Sequence, residues 1–102
     1  MGQARRVASA RLRVIFAPAA RDDLRRIRDY IGQFNPAAAE RVALGLIAAA
    51  DSLTMYPERG RPIGSRRREL VALWPYVIRY RVDEGLVVVL RVRHGMQRPE
   101  NG

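Results

Sequence analysis

The chain has no cysteine, no lysine and a single histidine. The first absence excludes disulfides and thiolate metal sites, and it fits a reducing, cytoplasmic setting. With His94 as the only imidazole there is almost nothing from which to build a transition-metal centre, and neither metal nor cofactor is expected. Long apolar runs are missing too. None approaches the roughly 20 residues of a membrane span, so no membrane partner is expected. The opening "MGQARRVASA" is charged but is not followed by the apolar stretch of a secretory signal. Residues 1–10 read as a flexible arm.

What the chain has is arginine. All 19 cations are arginine, and the net charge is +9 over 102 residues. GC-rich codon usage alone replaces lysine by arginine. The excess charge, by contrast, asks for an acidic partner, either a nucleic acid or an acidic protein segment. An apolar content of 48% at this length allows one two-layer domain. That domain is expected over residues 11–98, with a frayed end at 99–102.

"RLRVIFAP" alternates, with Leu12, Val14 and Phe16 on one face, and reads as a strand stopped by Pro18. In "ARDDLRRIRDYIGQF", Ala20, Leu24, Ile27, Ile31 and Phe34 recur at helical spacing, and Asp22 and Asp23 are placed in the first turn. Asn35-Pro36 ends that helix and starts the next, Asn35 as N-cap and Pro36 at the first position. The second helix is expected from Pro36 to Met55, before Pro57. Its middle, "VALGLIAAADSL", is apolar nearly all round, so it either packs on two sides or offers an apolar strip to a partner.

"YPERGRPIGSRRREL" reads as a loop, with five arginines between Arg59 and Arg68. Three strands follow: "ELVALW", "YVIRYRV" and "LVVVLRV", the last two joined by a short hairpin turn at Asp83-Glu84-Gly85. The order β-α-α-β-β-β predicts an α+β domain with an antiparallel-type sheet and a helical hairpin on one face. Parity then sends Ile78, Tyr80, Val82, Val88, Leu90 and Val92 toward the helices. Arg79, Arg81, Arg91 and Arg93 point the other way, and Arg11 and Arg13 join them. An open face of one sign is a binding surface and not merely a solvated one.

His94 falls on the core-facing parity, one step beyond Val92. A general base needs an orienting partner and a pocket. The neighbours Arg93, Gln97 and Arg98 are phosphate-binding types, not an orienting carboxylate. No catalytic triad, close carboxylate pair or phosphate-cradling glycine loop is visible. His94 reads as the end of a strand, and enzyme chemistry does not follow from these residues.

Taken together and in order, "APAARDDLRRIRDYI", "NPAAAERVALGLIAAADSLTMYPERGRP" and "WPYVIRYRVDEGLVVVLRVRHG" resemble the RelE/ParE superfamily of toxins from type II toxin–antitoxin pairs. The resemblance covers roughly residues 12–98, and it implies the strand–helical hairpin–sheet fold derived above. It also implies a cognate antitoxin whose acidic, largely disordered tail folds along the toxin as helix and strand, in a toxin–antitoxin hetero-oligomer. The superfamily has two branches. RelE-like members cleave messenger RNA on the ribosome. ParE-like members poison DNA gyrase by binding it.

RelE-like nucleases need cations to hold the scissile phosphate, commonly an arginine in a Gly-Tyr-Arg pattern. Here Val77 stands at that place in "PYVIRY". The preceding strand has no cation after Arg68, and no tyrosine follows the last strand. The ending "VLRVRHGMQRP" resembles the ParE-like close instead. The expected function is therefore gyrase poisoning by a protein that is not an enzyme. Partner contacts are expected at Arg59, Arg61, Arg79, Arg81, Arg91, Arg93, His94 and Arg98. Two alternatives stay open. One is a RelE-like endoribonuclease acting with ribosome and mRNA, with His94, Arg61 and Arg81 as candidate catalytic residues. The other is a toxin fold that only binds its partner.

Overall fold

A computed structural model describes residues 12–95. Its elements run β1 (Arg13–Phe16), α1 (Pro18–Gly32), α2 (Pro36–Ser52), β2 (Arg61–Gly64), β3 (Arg67–Leu73), β4 (Tyr76–Asp83) and β5 (Leu86–His94). The five strands form one sheet in the order β1-β5-β4-β3-β2, and both helices pack on one of its faces.

The α+β architecture and the helical hairpin are as the sequence predicts; the sheet differs in two respects. It is mixed, because β1 runs parallel to β5 while every other pair is antiparallel. The first strand reaches the last through the whole chain, a long connection that makes a parallel pair possible. The arginine-rich "loop" also holds a fifth strand. β2 pairs with β3 through Arg61↔Glu69 and Pro62↔Arg68, and it is too short and too broken by proline and glycine to show an alternating pattern.

Local chemistry explains the helix ends. Pro18 and Pro36 occupy first positions, and the Asn35 side chain accepts the Ala38 N–H at 3.0 Å, as an N-cap should. α2 stops at Ser52, three residues short of the expected Met55, and its final turn is closed by the Leu53 and Thr54 N–H groups on carbonyls of Ala50 and Asp51. Because α1 starts at Pro18, Asp22 and Asp23 sit in its second turn and not its first. Phe34 is exposed, in edge-to-face contact with Tyr30 (centroids 5.5 Å apart).

The core joins Ala20, Leu46, Ala50 and Leu53 of the helical side to Leu70, Ile78, Tyr80, Val87, Val89 and Val92 of the sheet. Leu12, Val14, Phe16, Leu24, Ile27 and Val82 pack at its edge, as the sequence pattern requires. On β5 the pattern breaks. Val87 and Val89 face the helices in place of Val88 and Leu90, although Val92 faces them as expected. The cause is a bulge. Arg79 pairs with Arg91 and Tyr80 with Val89, so one extra residue in β5 flips the side-chain alternation.

Candidate functional site

Register places the charged residues of the open face in rows. One row runs Arg61, Glu69, Arg79, Arg91 across β2, β3, β4 and β5. The next runs Arg67, Arg81, Val88, Ile15 across β3, β4, β5 and β1. The expectation of a face with one sign of charge is overturned here. Glu69 binds Arg61 through one carboxylate oxygen and Arg79 through the other, each at 3.0 Å. Asp83 binds Arg81 at 3.0 Å and lies 3.8 Å from Arg66. Both carboxylates stood in the sequence, but only the register shows them between arginines.

The predicted site residues are scattered. Arg59 folds back to donate to the Ser52 hydroxyl at 2.7 Å, at the end of α2. Arg91 leaves the open face altogether: its guanidinium wraps around the β5 edge and grips Asp23 of α1 at 2.8 and 3.0 Å. Arg93 and Arg67 have no ion pair among the described residues. Arg98 lies outside the described residues, as do Arg11, the arm at 1–10 and the end at 99–102.

His94 ends β5 opposite Tyr76, its ring edge-to-face against the tyrosine with centroids 5.5 Å apart. The two help line a cavity of about 240 Å³ together with Arg26, Ile27 and Arg93. Arg81 lies opposite Val88, six strand positions from His94. That is about 20 Å at strand rise. Arg61 stands three strands away from β5, at the sheet's far edge. The structure therefore does not bring His94, Arg61 and Arg81 into one pocket.

Asp23 is the residue that sequence reasoning misjudged most. It is buried and accepts from the Arg91 side chain, from the Val92 backbone N–H at 2.9 Å and from Arg26 at 3.4 Å. Burial alone would raise its pKa, but the Arg91 hydrogen bond, the Val92 N–H and the charges of Arg91 and Arg26 outweigh it and hold the carboxyl below its ordinary value. β1 ends opposite Val89, so the β5 edge beyond it has no strand partner among the described residues. Asp23 satisfies the Val92 N–H on that edge.

Tyr80 anchors the opposite end. Its buried phenol donates to the Pro57 carbonyl at 2.6 Å and accepts the Gly60 N–H at 2.9 Å. Arg68 donates to the Gly60 carbonyl at 2.6 Å. A Cβ on Gly60 would lie 2.8 Å from the Tyr80 ring and 2.9 Å from the Glu69 carbonyl, so only glycine fits. These contacts fix the segment that leads into β2.

The outer side of the helical hairpin is the other notable surface. Leu44 and Ile47 of α2 are exposed, so the apolar helix packs on one side and leaves a strip on the other. Across a groove of about 230 Å³ stand Arg21, Arg25 and Arg28 of α1, one helical turn apart. Arg25 is paired with Asp22, while Arg21 and Arg28 have no ion pair among the described residues. No group of three or more potential ligands could hold a metal ion among the described residues, and no helix there is long and apolar enough to cross a membrane.

Comparison with known proteins gives a consistent result. Residues 14–99 match the family described as ParE toxin of type II toxin–antitoxin system, parDE. The chain is 62% identical over 72 residues to toxin RelE2 of Caulobacter vibrioides, covering 71% of this chain and 82% of that protein. It is 38% identical over 88 residues to toxin RelE1 of the same organism, covering 83% and 95% respectively. Among solved structures, the chromosomal ParDE toxin–antitoxin system of P. aeruginosa shares the fold with a TM-score of 0.75 at 22% identity, covering 84% of this chain and 98% of that one. The RelBE2 toxin–antitoxin complex of Mycobacterium tuberculosis aligns with a TM-score of 0.54 at 28% identity, over 82% and 98%.

Proposed function

The chain belongs to the ParE toxin family of type II toxin–antitoxin systems, and from that premise we propose that it poisons DNA gyrase by protein–protein binding. The observation that carries this reading is the distance of His94 from Arg61 and Arg81: of the cations that line its own cavity, Arg26 and Arg91 are committed to Asp23, which leaves Arg93 alone beside it. A ribonuclease needs a phosphate-holding cation beside its proton-transfer group. Here His94 and Arg81 lie about 20 Å apart along the sheet, and Arg61 is paired with Glu69 at the sheet's far edge. Val77 stands at the position of the nuclease arginine, with Arg93 as its neighbour across the strands. A poison needs none of that chemistry, only a surface complementary to its target.

The antitoxin is proposed to dock an acidic amphipathic helix on the outer hairpin groove. Its apolar positions would meet Leu44 and Ile47, and its carboxylates would face Arg21 and Arg28. A ribosome-dependent endoribonuclease is the second reading, favoured by the RelE names of the Caulobacter relatives.

The deciding experiment adds this protein to purified gyrase and relaxed plasmid, with and without ATP. Blocked supercoiling with accumulating linear DNA is the expected result. Unaffected gyrase together with cut messages on translating ribosomes would replace the reading with the nuclease. If neither effect appears while antitoxin still binds, the protein is a toxin fold that only binds its partner.

A further inference from the structure

We propose that the tip of the β2–β3 hairpin is a nucleic-acid backbone contact, in which Arg66, Arg67 and Arg81 hold phosphodiester oxygens, with a DNA duplex as the probe. The inference goes beyond gyrase binding and does not depend on it, because the contact belongs to this chain alone.

The first observation is the backbone of the turn. Gly64 pairs with Arg67, leaving Ser65 and Arg66 as a two-residue turn with φ of 28° and 62°. Two consecutive left-handed residues suit asparagine and glycine, which fill such hairpin turns elsewhere. An arginine held at positive φ is strained, and strain of this kind collects where a side chain is needed. Here it holds a guanidinium 3.8 Å from Asp83, with 77% of the Arg66 side chain exposed.

A second observation is electrostatic. Arg67 and Arg81 are direct register partners across β3 and β4. Like charges directly opposite one another destabilise a sheet. Asp83 serves Arg81 at 3.0 Å and Arg66 at 3.8 Å, and Arg67 has no carboxylate among the described residues. Arg66 and Arg81 thus share one carboxylate while Arg67 has no ion pair among the described residues, and an anion from outside the fold would resolve the imbalance.

The chemistry of that anion follows from what surrounds it. An acidic peptide that docks as helix or strand needs apolar anchors. The exposed large apolar side chains lie elsewhere, on the helices and the turn between them, at Met55 and Tyr56, around Val71 to Trp74, and at Ile15 on β1, three strands from β3 along the row of Arg67 and Arg81; none lies in the β2–β3 turn. A partner recognised by charge alone, on a projecting tip of arginines whose planar forks match phosphate oxygens, is a phosphodiester backbone.

The test is fluorescence anisotropy of the purified protein with a labelled DNA duplex, across a potassium chloride series. Each phosphate contact contributes roughly 0.9 to the slope of log affinity against log salt. Arg67→Gln and Arg66→Gly are each expected to lower that slope by about one unit. Arg66→Gly places at a positive φ the residue that conformation prefers, so a lost contact there is not a lost fold. Arg41→Gln, exposed on α2, is expected to leave the slope unchanged. Slopes that stay the same in both tip variants would overturn the proposal. So would a glutamate-rich peptide of equal charge that binds as tightly and loses affinity in the same variants. Gyrase inhibition is measured beside it: inhibition without tip-dependent DNA affinity overturns the tip contact alone, and DNA affinity without inhibition overturns the gyrase reading alone.

Discussion

Asp23 and Arg91, 68 positions apart in the chain, are joined by two hydrogen bonds of 2.8 and 3.0 Å that bind α1 to the edge of β5 beyond its pairing with β1. The carboxylate is buried and the guanidinium only half so. Removing Asp23 leaves Arg91 without its counter-charge and the Val92 N–H without an acceptor. Breaking a buried pair from one side costs 3 kcal/mol or more, and the exposure of Arg91 to solvent discounts that. Asp23→Ala is therefore expected to lose about 2 to 3 kcal/mol in urea unfolding. A loss below about 0.5 kcal/mol, the range of ordinary surface changes, would show that the pair does not hold the edge.

The same carboxylate gives a pH dependence with a fixed sign. Asp23 titrates below its ordinary value in the folded protein. Its contribution is thus complete above the unfolded carboxylate range of about pH 4, and is lost as pH falls through the lower folded value. Measured from about pH 5 to pH 2, wild-type stability should fall more steeply than that of Asp23→Asn. Parallel curves would mean that other carboxylates govern the acid limb.

Periodicity was enough for the helices, the hairpin turn and the core of β4, because Leu24, Ile27, Ile78 and Tyr80 obey a simple 3.6 or 2 repeat. It failed where pairing, and not pattern, decides. The bulge that turns Val87 and Val89 inward leaves no mark in "LVVVLRV", whose residues are apolar on both faces. Glu69 and Asp83 were readable as carboxylates, but their place between arginines needed the register. The role of Asp23 was hidden because its partner lies on the last strand and reaches it around a sheet edge.

Tyr80 makes a second stability prediction. Tyr80→Phe keeps the buried ring but removes the hydroxyl that serves both Pro57 and Gly60. A buried N–H and carbonyl left unpaired cost about 1 to 3 kcal/mol. Hydrogen exchange at Gly60 should speed up by a similar free energy, while exchange in α1 follows only the global change. Gly60→Ala should do more damage than Tyr80→Phe, since its Cβ meets the Glu69 backbone carbonyl, which cannot move aside without disturbing β3.

Antitoxin affinity should depend on the outer groove. Ile47→Glu sets a carboxylate on the apolar strip, where it would repel an acidic tail and cannot fill an apolar contact. Ile47 is exposed, so folding stability should stay within about 0.5 kcal/mol. Calorimetric titration with the cognate antitoxin should show at least roughly tenfold weaker binding, about 1.4 kcal/mol. Unchanged affinity would move the docking site to another face.

His94→Ala separates the two target readings. Under gyrase poisoning, the imidazole closes β5 against Tyr76 and performs no proton transfer. Its loss removes one edge-to-face aromatic contact, worth about 0.5 to 1.5 kcal/mol, and supercoiling inhibition should remain within a few fold of wild type. Under ribosome-dependent cleavage, His94 is the only imidazole among the described residues and so the candidate proton-transfer group. Message cleavage would then fall by about 100-fold or more, as the loss of a general acid or base requires. His94→Phe keeps the ring beside Tyr76 and discriminates further. It should restore the aromatic contact under either reading, but it can restore activity only if the histidine acts through packing. Inhibition that fails in His94→Ala and recovers in His94→Phe would confine the residue to shape. Failure of inhibition in both would assign it a polar contact that phenylalanine cannot make, and failure of message cleavage in both would assign it a proton.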